Sequence, residues 1–555
     1  MKDILARCRI TGKEFMITED DQKFYEKMGV PLPTLCPEER ERRRMMWSNQ
    51  ITLFNNTCSA TGKPVISNYS PDSGIPIMDA EYWRSDKWDQ YATGRDFDFN
   101  RPFFDQWIEL FRVAPRPNLH RGHEFDENAD YTNYAGKNKN CYLIFDSDKN
   151  RDCYYSYSIN SCESVMDCFR TRSSELCYEC IDCEKCYNSQ YLQNCKNCID
   201  SHFLKNSIGC KNCFGCVNLR NKQYYFMNEK CTKEEYEKKL QAIDITTYEN
   251  IKETKKRFLT FSRQFPNKYM EGVQNENVIG NYVNNSKNAY YCFDSQNLWD
   301  CRYLSQAFDD AKDCMDCTEV GDGAELLYEV STTGYNVRNL RFCSHSLGEV
   351  YDMDYSFYCP NSSHCFGCVA LHNAKYCILN KQYTKEQYEA LVPKIIEHMK
   401  KTGEWGEFFP GELSPFPYNE THAFDYYPLT KEEALSRGYT WRDDDIQSQY
   451  QGVQYEVPEH IKDVQDDITK AILRCEVSGK NFKIIPQEFT LYRRMDIPIP
   501  KKCFNERHKE RLSLRTPRKL WDRNCMKCHK EVKSSYSPDR EEIIYCDECY
   551  LNSIN

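Results

Sequence analysis

The sequence lacks the features that would place the protein in a membrane or in an exported compartment. Its 555 residues contain no apolar run near the roughly 18 residues that a membrane-crossing helix needs. The opening residues, MKDILARCRITGKEF, carry charges at positions 2, 3 and 7 and no apolar segment typical of a signal peptide. We therefore expect a cytoplasmic protein without a membrane partner.

Recognisable catalytic motifs are also missing. The chain has no GxSxG nucleophile elbow, no HExxH metalloprotease helix, no phosphate-binding P-loop and no dinucleotide-binding glycine fingerprint. Excess basic charge is absent too, because 84 acidic and 74 basic residues give a net charge of -10. This balance excludes a surface that binds nucleic acid over its whole area, but not a local basic patch. The sequence predicts a protein that is not an enzyme.

Cysteine, in contrast, is abundant, with 32 residues in the chain. Because disulfides are disfavoured in a reducing cytoplasm, metal ligation and buried thiols are the leading explanations. One group has the spacing of a complete metal site, with two CxxC pairs at Cys525, Cys528, Cys546 and Cys549. Two such turns can place four thiolates in the tetrahedron that zinc prefers. The sequence therefore predicts zinc as a cofactor at this site.

The two ends of the chain are copies of each other. Residues 8–83 match residues 475–550 at a constant offset and without a gap. In the N-terminal copy Cys58 remains, but the other three ligand positions hold different residues, namely Thr61, Asp79 and Tyr82. That copy cannot hold zinc in the same way.

A second cysteine pair precedes each of these segments, Cys8 with Cys36 and Cys475 with Cys503. The surrounding sequence, CRITGKEF…FYEK…PTLCPEERERR in the N-terminal copy, resembles the treble-clef zinc-ribbon family. The family's remaining cysteines are replaced here by Thr11, Glu39, Ser478 and Glu506. The resemblance implies a retained treble-clef fold, with these four cysteines as weaker metal candidates. The order of all segments is similar to that of cysteine-rich bacterial proteins with treble-clef ends, which implies no particular activity.

The middle of the chain is duplicated separately. KNCYLIFDS at 139–147 returns as KNAYYCFDS at 287–295, and FGCVNLRN at 214–221 returns as FGCVALHN at 366–373. In the first copy, cysteines recur at a constant interval, at Cys153, Cys168, Cys183, Cys198 and Cys213. Small or apolar residues in register, with polar residues between them, are typical of a solenoid. The pattern predicts coils of about 15 residues, in which these five thiols stack in one row.

The sequence thus predicts a mostly β protein with short helices, in which a duplicated β-solenoid lies between treble-clef, zinc-ribbon-like ends. The predicted segments are a degenerate N-terminal unit 1–83, a connector 84–135, a first solenoid with its helix 136–240, a connector helix 241–284, a second solenoid with its helix 285–400, an aromatic-rich connector 401–470 and a C-terminal unit 471–555. Capping-box patterns at Thr232 and Thr384 predict a helix after each solenoid. We interpret the aromatic residues of 401–470 as sealing the solenoid, with a ligand surface as the alternative.

Three functions are compatible with these patterns. The first is a non-enzymatic zinc-binding scaffold with protein partners. The second is an RNA- or ribosome-associated factor, because the basic segments 40–44 and 507–523 could neutralise phosphates. Its candidate contact residues are Arg507, Lys509, Arg511, Arg515, Arg518 and Lys519. The third is an iron–sulfur or redox protein, because ferredoxin-like spacing occurs at Cys177, Cys180, Cys183 and Cys186, for which interior packing is the alternative.

Overall fold

A computed structural model describes residues 2–122, 125–443, 450 and 452–554. Two β-solenoids, each built from parallel strands, occupy the middle of the chain, and units of hairpins and short helices occupy both ends. The α-helices span Glu19–Met28, Pro37–Met45, Ala80–Arg84, Phe103–Val113, Lys233–Gln241, Tyr248–Ser262, Lys385–Thr402, His422–Tyr426, Lys431–Ser436, Pro486–Arg494, Phe504–Ser513 and Asp547–Ile554. No helix in these ranges has both the length and the apolar character needed to cross a membrane.

The coils of the first solenoid are shorter than the predicted length of about 15 residues, so that prediction is wrong. Parallel bridges join Glu127 to Lys139 and Lys139 to Arg151, and the same step continues through the solenoid. A sequence separation of 12 therefore marks one coil, as in the hydrogen bond from Cys162 N–H to Asn150 Oδ1. The five cysteines of the predicted row thus do not stack on one another. The named strands here are Arg121–Gly122, Asn133–Gly136, Phe145–Asp148, Glu175–Tyr178, Tyr187–Gln190, Lys211–Phe214, Gln223–Phe226 and Glu229–Lys230.

A shorter repeat of three residues explains both the coil and the error. Every third residue has left-handed backbone geometry, with φ of 59°, 53° and 50° at Lys137, Asn140 and Leu143. Each of these residues turns the chain, so one side of the coil is three residues long and four sides complete it. The residue after each turn points inward, as Cys141 and Ile144 do. The true and the predicted coil lengths are both multiples of three, so the five cysteines all point inward. Because the predicted length is three residues longer than a coil, each of these cysteines lies one coil farther along the tube and on the next side of it.

Hydrogen bonding inside the tube explains why cysteine alternates with serine there. The N–H of an inward residue points into the tube and needs an acceptor from the coil before it. The N–H of Cys168 donates to Ser156 Oγ at 3.0 Å, and the N–H of Val165 donates to the sulfur of Cys153. The thiol of Cys153 in turn donates to the carbonyl oxygen of Arg151 at 3.1 Å. Burial raises the pKa of Cys153 well above its ordinary value, so this thiol stays protonated.

The coils of the second solenoid are not all of the same length. Lys287 pairs with Trp299 in a shorter coil, and Glu325 pairs with Arg338 in a longer one. Its strands form one 12-stranded sheet, composed of Glu276–Asn284, Lys287–Gln296, Leu298–Ala307, Ala311–Lys312, Met315–Val320, Ala324–Thr333, Val337–Arg341, Ser344–Ser346, Val350–Asp354, Ser363–Phe366, Lys375–Ile378 and Lys381–Gln382. Both solenoids are followed by a helix that begins with a capping box, which confirms the predictions at Thr232 and Thr384.

The two solenoids lie side by side and run in opposite directions. Near the start of the first solenoid, Tyr134 hydrogen-bonds with His345, which lies towards the end of the second. Farther along the first solenoid, Asn194 accepts a hydrogen bond of 3.0 Å from Tyr282, which lies at the start of the second. The order of these contacts is therefore reversed between the two tubes.

Each end of the chain packs against the solenoid that is more distant in sequence. From the N-terminal end, Arg40 donates to Asp316 of the second solenoid at 2.9 Å. From the C-terminal end, Arg507 donates to Asp167 of the first solenoid at 3.0 Å. Because Arg40 and Arg507 occupy matching positions of the terminal duplication, the same contact occurs in both halves. The molecule is thus built as two similar halves.

Candidate metal centre

Four knuckle units, each a hairpin followed by a second turn, share one backbone design. Their hairpins are Ile4–Arg7 with Glu14–Ile17, Phe54–Thr57 with Pro64–Ser67, Leu473–Arg474 with Asn481–Phe482, and Trp521–Asn524 with Glu531–Ser534. In each, the N–H of the first cysteine donates to the carbonyl of a lysine, from Cys8 to Lys13, Cys58 to Lys63, Cys475 to Lys480 and Cys525 to Lys530. We number these units 1 to 4 in chain order.

The terminal duplication pairs unit 1 with unit 3 and unit 2 with unit 4, and neighbouring units also match each other, which the duplication alone does not reveal. The signal is short: CRITGK at 8–13, CSATGK at 58–63, CEVSGK at 475–480 and CMKCHK at 525–530. The structure adds a second shared feature, a hydrogen bond from the N–H of the residue after the first cysteine of each unit to a carbonyl in the segment before the second turn. In unit 4 this bond joins Met526 N–H to Ile544 O at 2.9 Å. All four units therefore place their ligand positions alike.

Unit 4 carries a thiol at each of its four ligand positions. Cys525 and Cys528 lie in the hairpin turn, while Cys546 and Cys549 lie at the start of the helix Asp547–Ile554. The four sulfur atoms all lie within 4.8 Å of one another, and those of Cys528 and Cys546 are 3.7 Å apart. Four sulfurs bound to one zinc at about 2.3 Å would be separated by about 3.8 Å. The cluster can therefore hold one metal ion.

Electrostatics in unit 4 favour a bound cation. Burial acts to raise the pKa of Cys525, but backbone N–H groups of three neighbouring residues outweigh it and hold that pKa at about 6. Burial and the adjacent thiols raise the pKa of Cys549 to about 12. Four thiolates so close together repel one another, so they cannot all ionise without a cation between them. The exposed Lys527 and Lys530 of the turn also offset their negative charge.

In units 2 and 3, side chains at the ligand positions form hydrogen bonds within the unit itself. In unit 3, Ser478 Oγ lies 3.7 Å from Cys503 Sγ. In unit 2, Asp79 caps a short helix by accepting hydrogen bonds from the N–H groups of Glu81 and Tyr82 at 3.0 and 3.3 Å. These side chains therefore occupy the places where a metal would otherwise hold the turn together.

In unit 1 the fourth ligand position is Glu39, which forms ion pairs with Arg42 and Arg437. Within the part of the chain that the structure describes, the only group of three or more potential ligands within mutual reach is that of unit 4. The weaker candidates Cys8, Cys36, Cys475 and Cys503 thus form no complete site. The same holds for the ferredoxin-like run at Cys177, Cys180, Cys183 and Cys186, whose members lie on four successive sides of one coil.

The basic residues considered for nucleic-acid binding lie mainly inside the protein. Four of the five arginines of the segment 507–523 are buried and paired, Arg507 and Arg511 with Asp167, Arg515 with Asp182 and Asp294, and Arg518 with Asp294 and Glu41. Lys509 and Lys519 are exposed. In the segment 40–44, the buried arginines are likewise paired, Arg40 with Asp316, and Arg43 and Arg44 with Glu329. Most of this positive charge serves to join the ends of the chain to the solenoids.

Comparison with known proteins adds no assignment to this chain. No protein-family model matches it. No curated protein matches it significantly. The site must therefore be interpreted from its own residues.

Proposed function

We propose that the protein is a non-enzymatic zinc-binding scaffold with protein partners, located in the cytoplasm. The observation that carries this proposal is the cluster of four thiols at Cys525, Cys528, Cys546 and Cys549. Zinc binds four thiolates in a tetrahedron, and its binding contributes directly to local folding. Four protein ligands leave no open position for a substrate, which is typical of structural zinc sites.

The location of the cluster supports a structural role. The helix Asp547–Ile554 follows the second turn of unit 4, and Tyr550 on this helix donates a hydrogen bond of 2.9 Å to Asn218 of the first solenoid. The strand before the turn pairs with a segment next to the second solenoid, through Ile544 and Asn267. A metal that fixes unit 4 would therefore fasten the C-terminal end of the described chain to the body of the protein.

Metal analysis of anaerobically purified protein tests the proposal. Wild-type protein should contain about one zinc per chain, and the double variant Cys525→Ser, Cys546→Ser should lose it. The matched control is Cys475→Ser, Cys503→Ser, which changes the same positions of unit 3 and should retain the zinc. Unchanged zinc in the first variant would refute the site. Iron with visible absorbance in the wild type would instead favour the iron–sulfur alternative.

The RNA-binding alternative makes a separate prediction. Because the neighbouring arginines are buried in ion pairs, phosphates would have to contact the exposed Lys509 and Lys519. If they do, the logarithm of affinity should fall linearly with the logarithm of salt concentration, and replacing both lysines by Gln should flatten that slope. If the protein has no affinity for RNA at about 50 mM salt, where phosphate contacts are strong, the scaffold function stands alone.

A further inference from the structure

A cleft of about 230 Å³ opens where the N-terminal end of the chain meets the second solenoid. One wall comes from unit 1, including Phe15 and the first residue of the helix Pro37–Met45. The opposite wall comes from successive coils of the solenoid, which contribute Tyr290, Tyr291 and Tyr303. The lining therefore combines aromatic rings with charged side chains, among them the carboxylates of Glu14, Glu38 and Glu41.

The corresponding space in the other half of the molecule is filled. The two sequence duplications match three lining residues with counterparts there, Phe293 with Phe145, Tyr303 with Tyr155, and Pro37 with Phe504. The ring of Phe504 packs against those of Phe145 and Tyr155, with centroids 5.9 and 5.8 Å apart. Pro37 and Phe504 are each the first residue of their helix, but the proline ring is much smaller. The replacement of phenylalanine by proline thus leaves the space open in one half.

The charges around the cleft leave one cation without an acidic partner. The lining contains four basic side chains, Lys13, Arg44, Arg518 and Lys519. The first three are paired, Lys13 with Glu38, Arg44 with Glu329, and Arg518 with Glu41 and Asp294. Lys519 is exposed, its ammonium group lies 5.0 Å from the ring centre of Trp521, and it has no ion pair among the described residues.

We propose that this cleft binds a small planar aromatic molecule that carries one anionic group. The rings of Tyr290 and Tyr291 provide a surface for stacked or edge-on contacts with a planar ligand. Lys519 provides a charge-assisted contact for a carboxylate or a phosphate. The four basic side chains of the lining outnumber its three acidic ones, which favours an anionic ligand over a neutral or cationic one. No thiol of the cluster lines this cleft.

Isothermal titration calorimetry of the full chain tests the proposal with 2-naphthoate as the anionic probe. The wild type should bind one 2-naphthoate per chain, and the neutral analogue 2-naphthamide should bind at least about fivefold more weakly, because it makes no ion pair. Lys519→Gln should weaken 2-naphthoate binding by a similar factor. Lys509→Gln is the matched control and should leave the affinity for 2-naphthoate unchanged. Absence of binding, or equal loss in the two lysine variants, would overturn the proposal.

Pro37→Phe tests the location of the site by closing the cleft in the way that Phe504 closes its counterpart. Binding of 2-naphthoate should be lost, while the unfolding temperature and the zinc content stay as in the wild type. Tyr291→Leu is a second variant, because leucine stands at the matching position, Leu143, in the first solenoid. It should weaken binding by removing one ring. Folded variants of both kinds that bind 2-naphthoate as the wild type does would place the ligand elsewhere and refute the site.

Discussion

Asp294 and Asp146 occupy matching positions of the two solenoids but have opposite ionisation. Three arginines surround Asp294, with Arg515 at 2.6 Å, Arg518 at 3.0 Å and Arg170 at 3.8 Å. Burial alone would raise the pKa of Asp294, but these arginines hold it well below its usual range. Burial and then the charge of Glu319 raise the pKa of Asp146 to about 8. At pH 7 the folded protein thus keeps Asp294 charged and Asp146 protonated.

We predict that Asp294→Asn lowers the free energy of unfolding at pH 7 by about 3–5 kcal/mol, because it leaves buried arginines without their counter-ion. Asp146→Asn should not destabilise the protein, because the amide replaces a carboxyl that is already neutral. At pH values between the ordinary pKa of aspartate and about 8, the folded state holds a proton at Asp146 that the unfolded state lacks. This group therefore lowers stability as pH rises, by up to about 1.4 kcal/mol per pH unit.

Urea denaturation at pH 5, 6, 7 and 8, followed by circular dichroism, measures both effects. Over this range the stability of Asp146→Asn should change less in the unfavourable direction than that of the wild type and of Asp294→Asn, because only Asp146→Asn lacks the proton that the folded state holds at this position. Burial also raises the pKa of Glu488, to about 7, and lowers that of buried histidines such as His345 and His422, but these residues add the same slope to all three proteins. The differences between proteins therefore report on the two aspartates. An Asp146→Asn variant that is as unstable as Asp294→Asn at pH 7 would refute the assignment of charge.

Three further predictions concern the tube interior, the knuckle units and the C-terminal helix. Ser201→Ala should lower the free energy of unfolding, measured with urea, by about 1–3 kcal/mol, because it leaves the N–H of Cys213 without its acceptor. Ser201→Cys should recover part of this loss. Cys8→Ser should leave the metal content per chain unchanged, since Cys8 lies outside the cluster of unit 4, and a loss of metal would contradict this. A chelator should speed hydrogen exchange in the helix Asp547–Ile554 but not in the solenoids, and uniform exchange would disprove local fastening.

The solenoid could be predicted from the sequence, but its coil length could not. Buried residues recur every third position, so any multiple of three produces a periodic pattern of small and apolar residues. Cysteine happens to repeat at a longer constant interval from Cys153 to Cys213, whereas the true neighbours of Cys153, one coil away on either side, are Cys141 and Val165. Interior positions accept Cys, Ser, Val or Leu, so residue identity does not distinguish one side of the coil from the next. The length of the coil is set by backbone turns that residue type indicates only weakly.

The thiol cluster could be predicted because its ligands are close in sequence and their spacing is sufficient to define the site. The role of the arginines could not, because their partners are remote. A basic helix looks the same in sequence whether Arg511 faces solvent or lies 2.8 Å from the buried Asp167. The cleft was also missed, since it depends on the contrast between Pro37 and Phe504 after both have been placed on their solenoids.

The contrast between similar halves gives the best guide to function in this molecule. Buried pairs such as Arg40 with Asp316 and Arg507 with Asp167 add little net stability, but breaking one is costly, so they specify which surface each end docks against. Because the same pair occurs twice, this docking needs no functional explanation beyond assembly. A ligand site, in contrast, needs to exist only once. The thiol cluster of unit 4 and the cleft beside Pro37 are features without a matching copy in the described chain, and both are therefore where binding is to be sought.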